Sequence, residues 1–516
     1  MPLMLRDNAV FVMNVRERLR PNTLIPVAIA TALLAGLIVL FCSLADFDRS
    51  EAPRLWWAFF VISIGQGIVL LLSGSGSVAI SASRERQSGT LDSHRTSPTS
   101  SFDIGVGMLL GPPALEWLIV LGLLPIAAGL ALYNGTSAGV LIAFYASLFL
   151  CAIFFHTVTL FGVMAIESRR LDFYRASWPL GLALLTWFAS GVGMGFGISV
   201  LANGTCISAY MDLLVDIGYS RPAEIDANIL QLFNISMPCL LVQAIIQAPL
   251  VALLFVAVLR RISRPERPVF SKSQSLALVA YLYFLFIGTT IVFLPGKTLG
   301  GYRGYPDTTI GILVNFMYFA MFAGMISGAG TTPSRLIYLK GLRRAKKEDN
   351  GRLSWFDDHA SNTPWLVSFC VATLAAYASF TPFVPTGQHL AQAVPLLVAI
   401  AYSVTFLAAL EAFRLGRHHD KKNFFVLAVA VPWLFVPLLS FVFALVDVLE
   451  GITPYLSIAC PFVGVGMTAG MMSDAMLTSP VSEYAFPISA TVVNGLLATI
   501  LLVLAQRQRH RLGELE

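Results

Sequence analysis

The sequence predicts an all-α fold: a polytopic helical membrane protein with about twelve transmembrane helices in two six-span halves, preceded by an amphipathic interfacial helix. Three observations carry that prediction. Of 516 residues, 56% are hydrophobic and 12% charged, where a soluble domain usually carries about 25% charged. Apolar runs of roughly 20 residues recur from end to end, each long enough to cross a hydrocarbon layer about 30 Å thick. The basic residues gather in alternate connecting segments, as the positive-inside rule requires. A β-barrel is excluded, because its strands would alternate over about ten residues, and these runs do not.

Residues 1–22 interleave Val10, Phe11, Val12 and Met13 with Arg6, Arg16, Arg18 and Arg20, the pattern of a helix lying on the inner membrane surface. No continuous apolar core precedes the first span, so no cleavable leader is expected. Apolar runs follow near 23–45, 56–80, 110–132, 138–166, 177–201 and 235–259. A basic break intervenes, then come runs near 273–295, 307–328, 364–385, 390–413, 423–447, 454–473 and 484–506. The run at 454–473 contains Pro461, Gly464, Gly466 and Gly470, and reads as a re-entrant or outer-face segment. With it set aside, both termini lie in the cytoplasm. The segments 1–22, 81–109, 167–176, 260–272, 329–363, 414–422 and the tail after 506 lie inside. All but five of the 34 Lys and Arg (Arg49, Arg54, Arg221, Lys297 and Arg303) then share one side. The layout divides into a six-span unit at 1–264 and another at 265–516.

The most informative connecting segment joins the second and third spans. Arg84-Glu85-Arg86 places both charge signs around a helix end, the kind of surface a protein partner can dock against. Gly89 permits a bend, Pro98 ends the element, and Ser100 with Asp103 forms a capping box for the next helix. As a solvated loop, the same charges would only keep the segment out of lipid. In the second half, Pro333-Ser334 starts a helix with Leu336, Leu339 and Leu342 at spacing three, opposite a basic face. That helix can dock a protein or bind anionic lipid headgroups.

Glu85, Arg86, Ser88, Gly89, Thr90, Leu91, Asp92, Ser97 and Pro98, just after the second span, resemble the coupling segment of type-2 ATP-binding-cassette (ABC) transporter permeases. The leading Asp7-Asn8-Ala9-Val10 resembles that family's amphipathic connector helix, so the likeness covers roughly residues 1–264. The resemblance implies a permease subunit, an exporter of the bacterial inner membrane, worked by a separate ABC ATPase in two copies that binds the ATP. Arg84, Glu85, Arg86, Ser88, Gly89, Thr90, Leu91, Asp92 and Pro98 would be its coupling residues. Arg335, Tyr338, Lys340, Arg343 and Arg344 would form a second coupling segment. After Leu91 the family runs apolar, whereas this chain has Asp92-Ser93-His94-Arg95.

Other signals are weaker. Gly296-Lys297-Thr298 is not a phosphate loop, because Ile291 stands five residues before Gly296, so the chain is not expected to hydrolyse ATP or hold a cofactor. The six cysteines are scattered, which predicts neither a disulfide framework nor a metal site. No nucleic-acid partner is expected; the bilayer and an unidentified substrate are. His418-His419 reads as solvated, and Asn203-Gly204-Thr205 and Asn234-Ile235-Ser236 as sequons without consequence. Glu116, His156 and Glu411 lie at membrane depth, where a charge costs at least about 2.5–3.5 kcal/mol, so they must face protein or water. Glu411 near Arg414 reads as a brace, and Glu116 and His156 as pathway candidates. Two other classes compete. Twelve crossings in two halves also suit a secondary active transporter. Asp46-Phe47-Asp48 resembles the acidic pair of lipid-linked-sugar glycosyltransferases, although the outer loops are short for such an enzyme.

Overall fold

The computed structural model describes residues 8–44, 54–165, 229–233, 235–265, 267–290, 327–347, 356–379, 389–416 and 485–514, with Ser354 and isolated positions from 316 to 325. Seven helices among them are long and apolar enough to cross a membrane, and three more are shorter and apolar. The protein is therefore membrane-embedded and almost wholly helical. The runs expected at 177–201, 423–447 and 454–473, Asp46 to Asp48, Asn203 to Thr205, Gly296 to Thr298 and His418-His419 lie outside the described residues.

The chain divides into two compact units, Met1–Pro265 and Glu266–Glu516. In the first, α1 (Ala9–Arg18) is capped by Asn8, whose side chain accepts from the Phe11 amide and donates to the Asp103 carbonyl at 2.7 Å. Helix α2 (Pro21–Leu44) begins on a proline, which gives up an amide that no helix start uses, and is apolar all round. Next comes one unbroken helical stretch: α3 (Arg54–Gly67), a π-helical segment (Ile68–Ser73) and α4 (Gly74–Ser88). At 1.5 Å per residue, the 34 residues from Leu55 to Ser88 reach about 50 Å, well beyond a hydrocarbon layer of about 30 Å. The excess length is what carries Arg84 to Ser88 clear of the spans.

Gly89 closes α4 in the left-handed conformation, φ +77°, which only glycine adopts without strain. The short α5 (Thr90–Thr96) follows. Ser100 then accepts from the Asp103 amide at 3.1 Å, as the capping reading expected, and starts α6 (Ser101–Leu110). Pro112-Pro113 separates α6 from α7 (Ala114–Tyr133), and Gly135 turns the chain into α8 (Ala138–Ala165). A Cβ on Gly107 would meet the Phe11 backbone nitrogen at 2.8 Å, so this glycine is what lets α1 lie directly on α6.

The all-α expectation needs one amendment. Strands β1 (Ile229–Leu232) and β2 (Ile235–Pro238) pair antiparallel ahead of α9 (Cys239–Ser263), so β2 takes the first residues of the apolar run expected near 235–259. Helix α9 packs along α8 and against α6. Two apolar clusters hold the unit. One is built on Trp56, Phe59, Phe144, Leu148 and Phe155, the other on Val10, Val78, Leu91, Met108, Leu160 and Ile262.

The second unit contains α10 (Lys272–Thr290), α11 (Arg335–Lys347), α12 (Thr363–Ala378), α13 (His389–Leu415) and α14 (Ala485–Glu514). Helices α13 and α14 pack along one another, with Thr405 donating to the Asn494 carbonyl at 2.9 Å. Trp365 stacks on Phe369 at 5.4 Å inside α12. One reading is corrected in α11. Its buried stripe is Ile337, Gly341 and Ala345, at spacing four, while Leu336 is 62% exposed. Two of the three, Gly341 and Ala345, are small and let the helix backbone come close to its neighbours.

Candidate functional site

In the first unit the polar residues gather in two layers. The deeper one surrounds the π-helical segment. Ser73 and Ser77 stand four apart and so share a face, and both hydroxyls donate to Glu116 Oε1, at 3.2 and 2.6 Å. Glu116 sits in the first turn of α7, where exposed amides and the helix dipole favour a carboxylate. Its Oε2 is buried and accepts no hydrogen bond. On the other side of the same stretch, fully buried His156 donates from Nε2 to the Leu70 carbonyl at 3.0 Å. A π turn disturbs the helical ladder, and a side-chain donor here meets one of its carbonyls. Gly74 makes room: a Cβ there would stand 2.7 Å from His156 Nε2. Trp117 lies edge-on to the imidazole at 6.3 Å and beside Phe149 at 5.2 Å. The two pathway candidates thus converge on residues 70–77 of one helix.

The sequence reading missed the neutral members of this layer. Tyr145 donates to Gln66 Oε1 at 3.1 Å, and Gln66 donates to the Val120 carbonyl at 3.1 Å. Ser147 donates to Gln243 Oε1 at 2.6 Å, while Gln243 and Gln247 both donate to Cys151 Sγ. Two glutamines at spacing four inside the apolar run of α9 were the available signal.

The second layer is the segment at 84–98. Glu85 is 6% exposed and faces the protein. Arg84 points outward and pairs with Glu17 of α1 at 2.9 Å, both well exposed. Arg86 donates to the Val163 carbonyl near the end of α8. Arg95 donates from Nε to the Ile262 carbonyl at 2.6 Å, from Nη2 to the Arg261 carbonyl at 3.3 Å, and from Nη1 to Asp92. The last carbonyls of a helix lack partners within it, and an arginine supplies both a donor and a favourable charge. α4 and α5 are thereby fastened to the C-terminal ends of α8 and α9. Leu91 anchors α5 in the core, and Ser88 bonds Thr90 across Gly89 at 2.6 Å. Asp92, Ser93, Thr96 and Pro98 remain exposed.

In the second unit, Lys340 and Arg343 of α11 are exposed and Arg335 and Tyr338 half-buried, while Arg344 pairs with Asp357. Asp357 also accepts from the His359 ring nitrogen at 2.7 Å. Burial pushes its carboxyl upward, but the His359 hydrogen bonds and charge, with Arg344, outweigh that and hold it below the usual range. Lys272, placed by the sequence at the end of the inside segment 260–272, donates to the carbonyls of Asp357 and Ala360 at 2.7 and 3.1 Å. Asn362 ties this end together, donating to the Gly328 carbonyl and to Thr332 and accepting from Thr331. Its amide donates to buried Glu411 at 3.4 Å, and Arg414 donates to the Thr332 carbonyl at 2.6 Å. Glu411 and Arg414 thus brace the same helix junction.

Among the described residues, no group of three or more His, Cys, Asp or Glu is placed to hold a metal ion. No protein-family model matches the chain, and no curated protein or solved structure matches it either.

Proposed function

We propose that this chain is the membrane-spanning permease subunit of an ABC transporter, an exporter of a bacterial inner membrane driven by a separate ATPase. The observation that carries the reading is the fastening of α5. A short helix set beyond the spans by the length of α3–α4 is linked through Arg86 and Arg95 to the ends of α8 and α9. A partner that displaces α5 would pull on both spans directly, which is the mechanical requirement for coupling ATPase closure to rearrangement. The exposed positions Asp92, Ser93 and Thr96 supply the contact surface, and buried Leu91 supplies anchorage. The spans would then alternate between inward-open and outward-open states, and the buried layer around Glu116 and His156 would face the substrate route.

The test is co-expression with the ABC ATPase encoded beside this chain. The ATPase is expected to co-purify with the native chain and to be lost from Ser93→Trp, which places bulk on an exposed position while the protein still elutes as a single species. No ATPase on the native chain, or undiminished ATPase on Ser93→Trp, would overturn the reading. A secondary active transporter is the second reading, favoured by the convergence of Glu116 and His156 on one helix segment. Substrate flux that follows the proton gradient and ignores ATP would select it.

A further inference from the structure

Of the three charged residues near the end of α4, Glu85 alone is buried. Neither of its carboxylate oxygens touches solvent, and neither accepts a hydrogen bond at ordinary distance. Asn14 of α1 stands beside it but is already engaged, donating to the Val10 carbonyl at 3.0 Å and accepting from Ser81 at 3.2 Å. Arg84 pairs with Glu17, and Arg86 donates to the Val163 carbonyl. Among the described residues, no cation pairs with Glu85. A charge sealed in this way is costly to keep, and an uncharged carboxyl far less so. We propose that Glu85 is a proton-controlled latch on α1: uncharged, it leaves α1 seated against α4 and α6, and deprotonated, it releases α1 onto the membrane surface.

An ionised Glu85 needs water, so one wall around it has to move, and α1 is the movable one. Helix α4 continues a membrane-length rod and is tied at its end through Arg86. Helix α1 has ten residues, and only Leu19-Arg20 joins it to α2. Its seat is close but lightly bonded. A Cβ on Gly111 of the α6 end would stand 2.7 Å from Asn14 Cβ, so small residues set the contact. The side-chain ties are Asn8 to the Asp103 carbonyl, Ser81 to Asn14, and the exposed Arg84–Glu17 pair, which contributes little in water. Val10 and Phe11 would lose their protein contacts on release, and the bilayer interface offers an amphipathic helix another place to bury them. An element with two such seats can be tipped by one buried charge.

The surroundings set the direction of the switch. Burial pushes the Glu85 carboxyl from its ordinary 4.5 up to about 7; Asn14 works against that rise, and Glu17 adds to it. The other charged groups of the neighbouring elements are not among those that shift it. On α1, Arg16 is exposed and Arg18 half-buried. On α6, Asp103 accepts from Ser100, and on α5, Asp92 and Arg95 bind each other while His94 is half-buried. Glu116 of α7 is held at Ser73 and Ser77, more than two turns along α4. Residues 157–165 of α8 carry no charged side chain. A proton held more tightly in the seated state favours that state while it is bound. The latch therefore contributes fully below about pH 4.5, weakens by up to about tenfold per pH unit above that, and is lost once the pH passes about 7.

The latch needs neither an ATPase nor a substrate, and neither does its test. The full chain is purified in non-ionic detergent, and amide hydrogen exchange is followed over residues 9–18. Native chain and Glu85→Gln are compared at the same pH, so that the chemical exchange rate cancels. At about pH 5.5 the two are expected to agree within about twofold. At about pH 8.5 the native chain is expected to exchange at least about tenfold faster over 9–18, with residues 138–165 alike in both. Equal protection of 9–18 at the higher pH would overturn the proposal. So would a difference of the same size at both pH values, which marks a purely structural role for the side chain. Should Glu85→Gln fail to fold, Glu85→Met, uncharged and of similar length, is expected to keep 9–18 protected at both pH values after correction for the chemical rate. Loss of that protection at the higher pH would overturn the latch as well.

Discussion

Gly74 is where the deeper layer depends on a single hydrogen atom. With any larger side chain, His156 has to leave the Leu70 carbonyl, because the added carbon would stand 2.7 Å from Nε2. Gly74→Ala is therefore expected to lose that buried hydrogen bond and to overpack the helix contact, at a cost of about 1–3 kcal/mol. Thermal unfolding in detergent measures it. The cost should shrink when His156→Ala is introduced as well, since the clash then has no partner. An equal penalty in both backgrounds would place the strain elsewhere. At this scale the sequence exposed the ionisable residues and hid the neutral ones. Glu116 and His156 stand out in apolar runs, whereas Gln66, Tyr145, Ser147 and Gln243 are common enough in spans that only their mutual bonds mark them.

Among the elements, α5 shows how a short helix persists. Seven residues are too few to form a stable helix alone. It holds because Leu91 is buried, Gly89 supplies the turn, and Arg95 reaches the end of α9. Arg95→Gln is expected to release α5 while the spans stay folded. Amide hydrogen exchange over 90–96 should then accelerate at least tenfold, with α8 little changed; unchanged exchange would show that Leu91 and the turn suffice. Element positions were largely legible. The apolar runs at 138–166 and 390–413 match α8 and α13 closely, and the Ser100 cap lies where the sequence put it. Faces were not legible. In a membrane both the lipid side and the protein side of a helix are apolar, so periodicity does not say which side is buried. Outside the spans the charge pattern misled as well: Glu85 reads as a docking charge and lies inward, and α11 packs through Ile337, Gly341 and Ala345.

For the molecule as a whole, the charge asymmetry makes a prediction about sidedness. Reporters inserted at Asn350 and Arg417 should read as cytoplasmic, and those at Asn134 and Lys297 as external. A common sidedness for all four would break the alternation and the count of about twelve crossings with it. The seven long helices fix the membrane character independently of that count. The π-helical segment has one more consequence at this scale. One residue added to a helix turns everything beyond it by about 100° around the axis. Arg54 to Gly67 and Gly74 to Ser88 therefore follow two different angular phases, although they form one continuous rod. The aromatic half toward Trp56 and the arginine half toward Arg86 can each be aimed at its own neighbours. Removing a single residue between Ile68 and Ser73 would rotate one half against the other like a misthreaded screw, with every side chain intact and every contact misdirected.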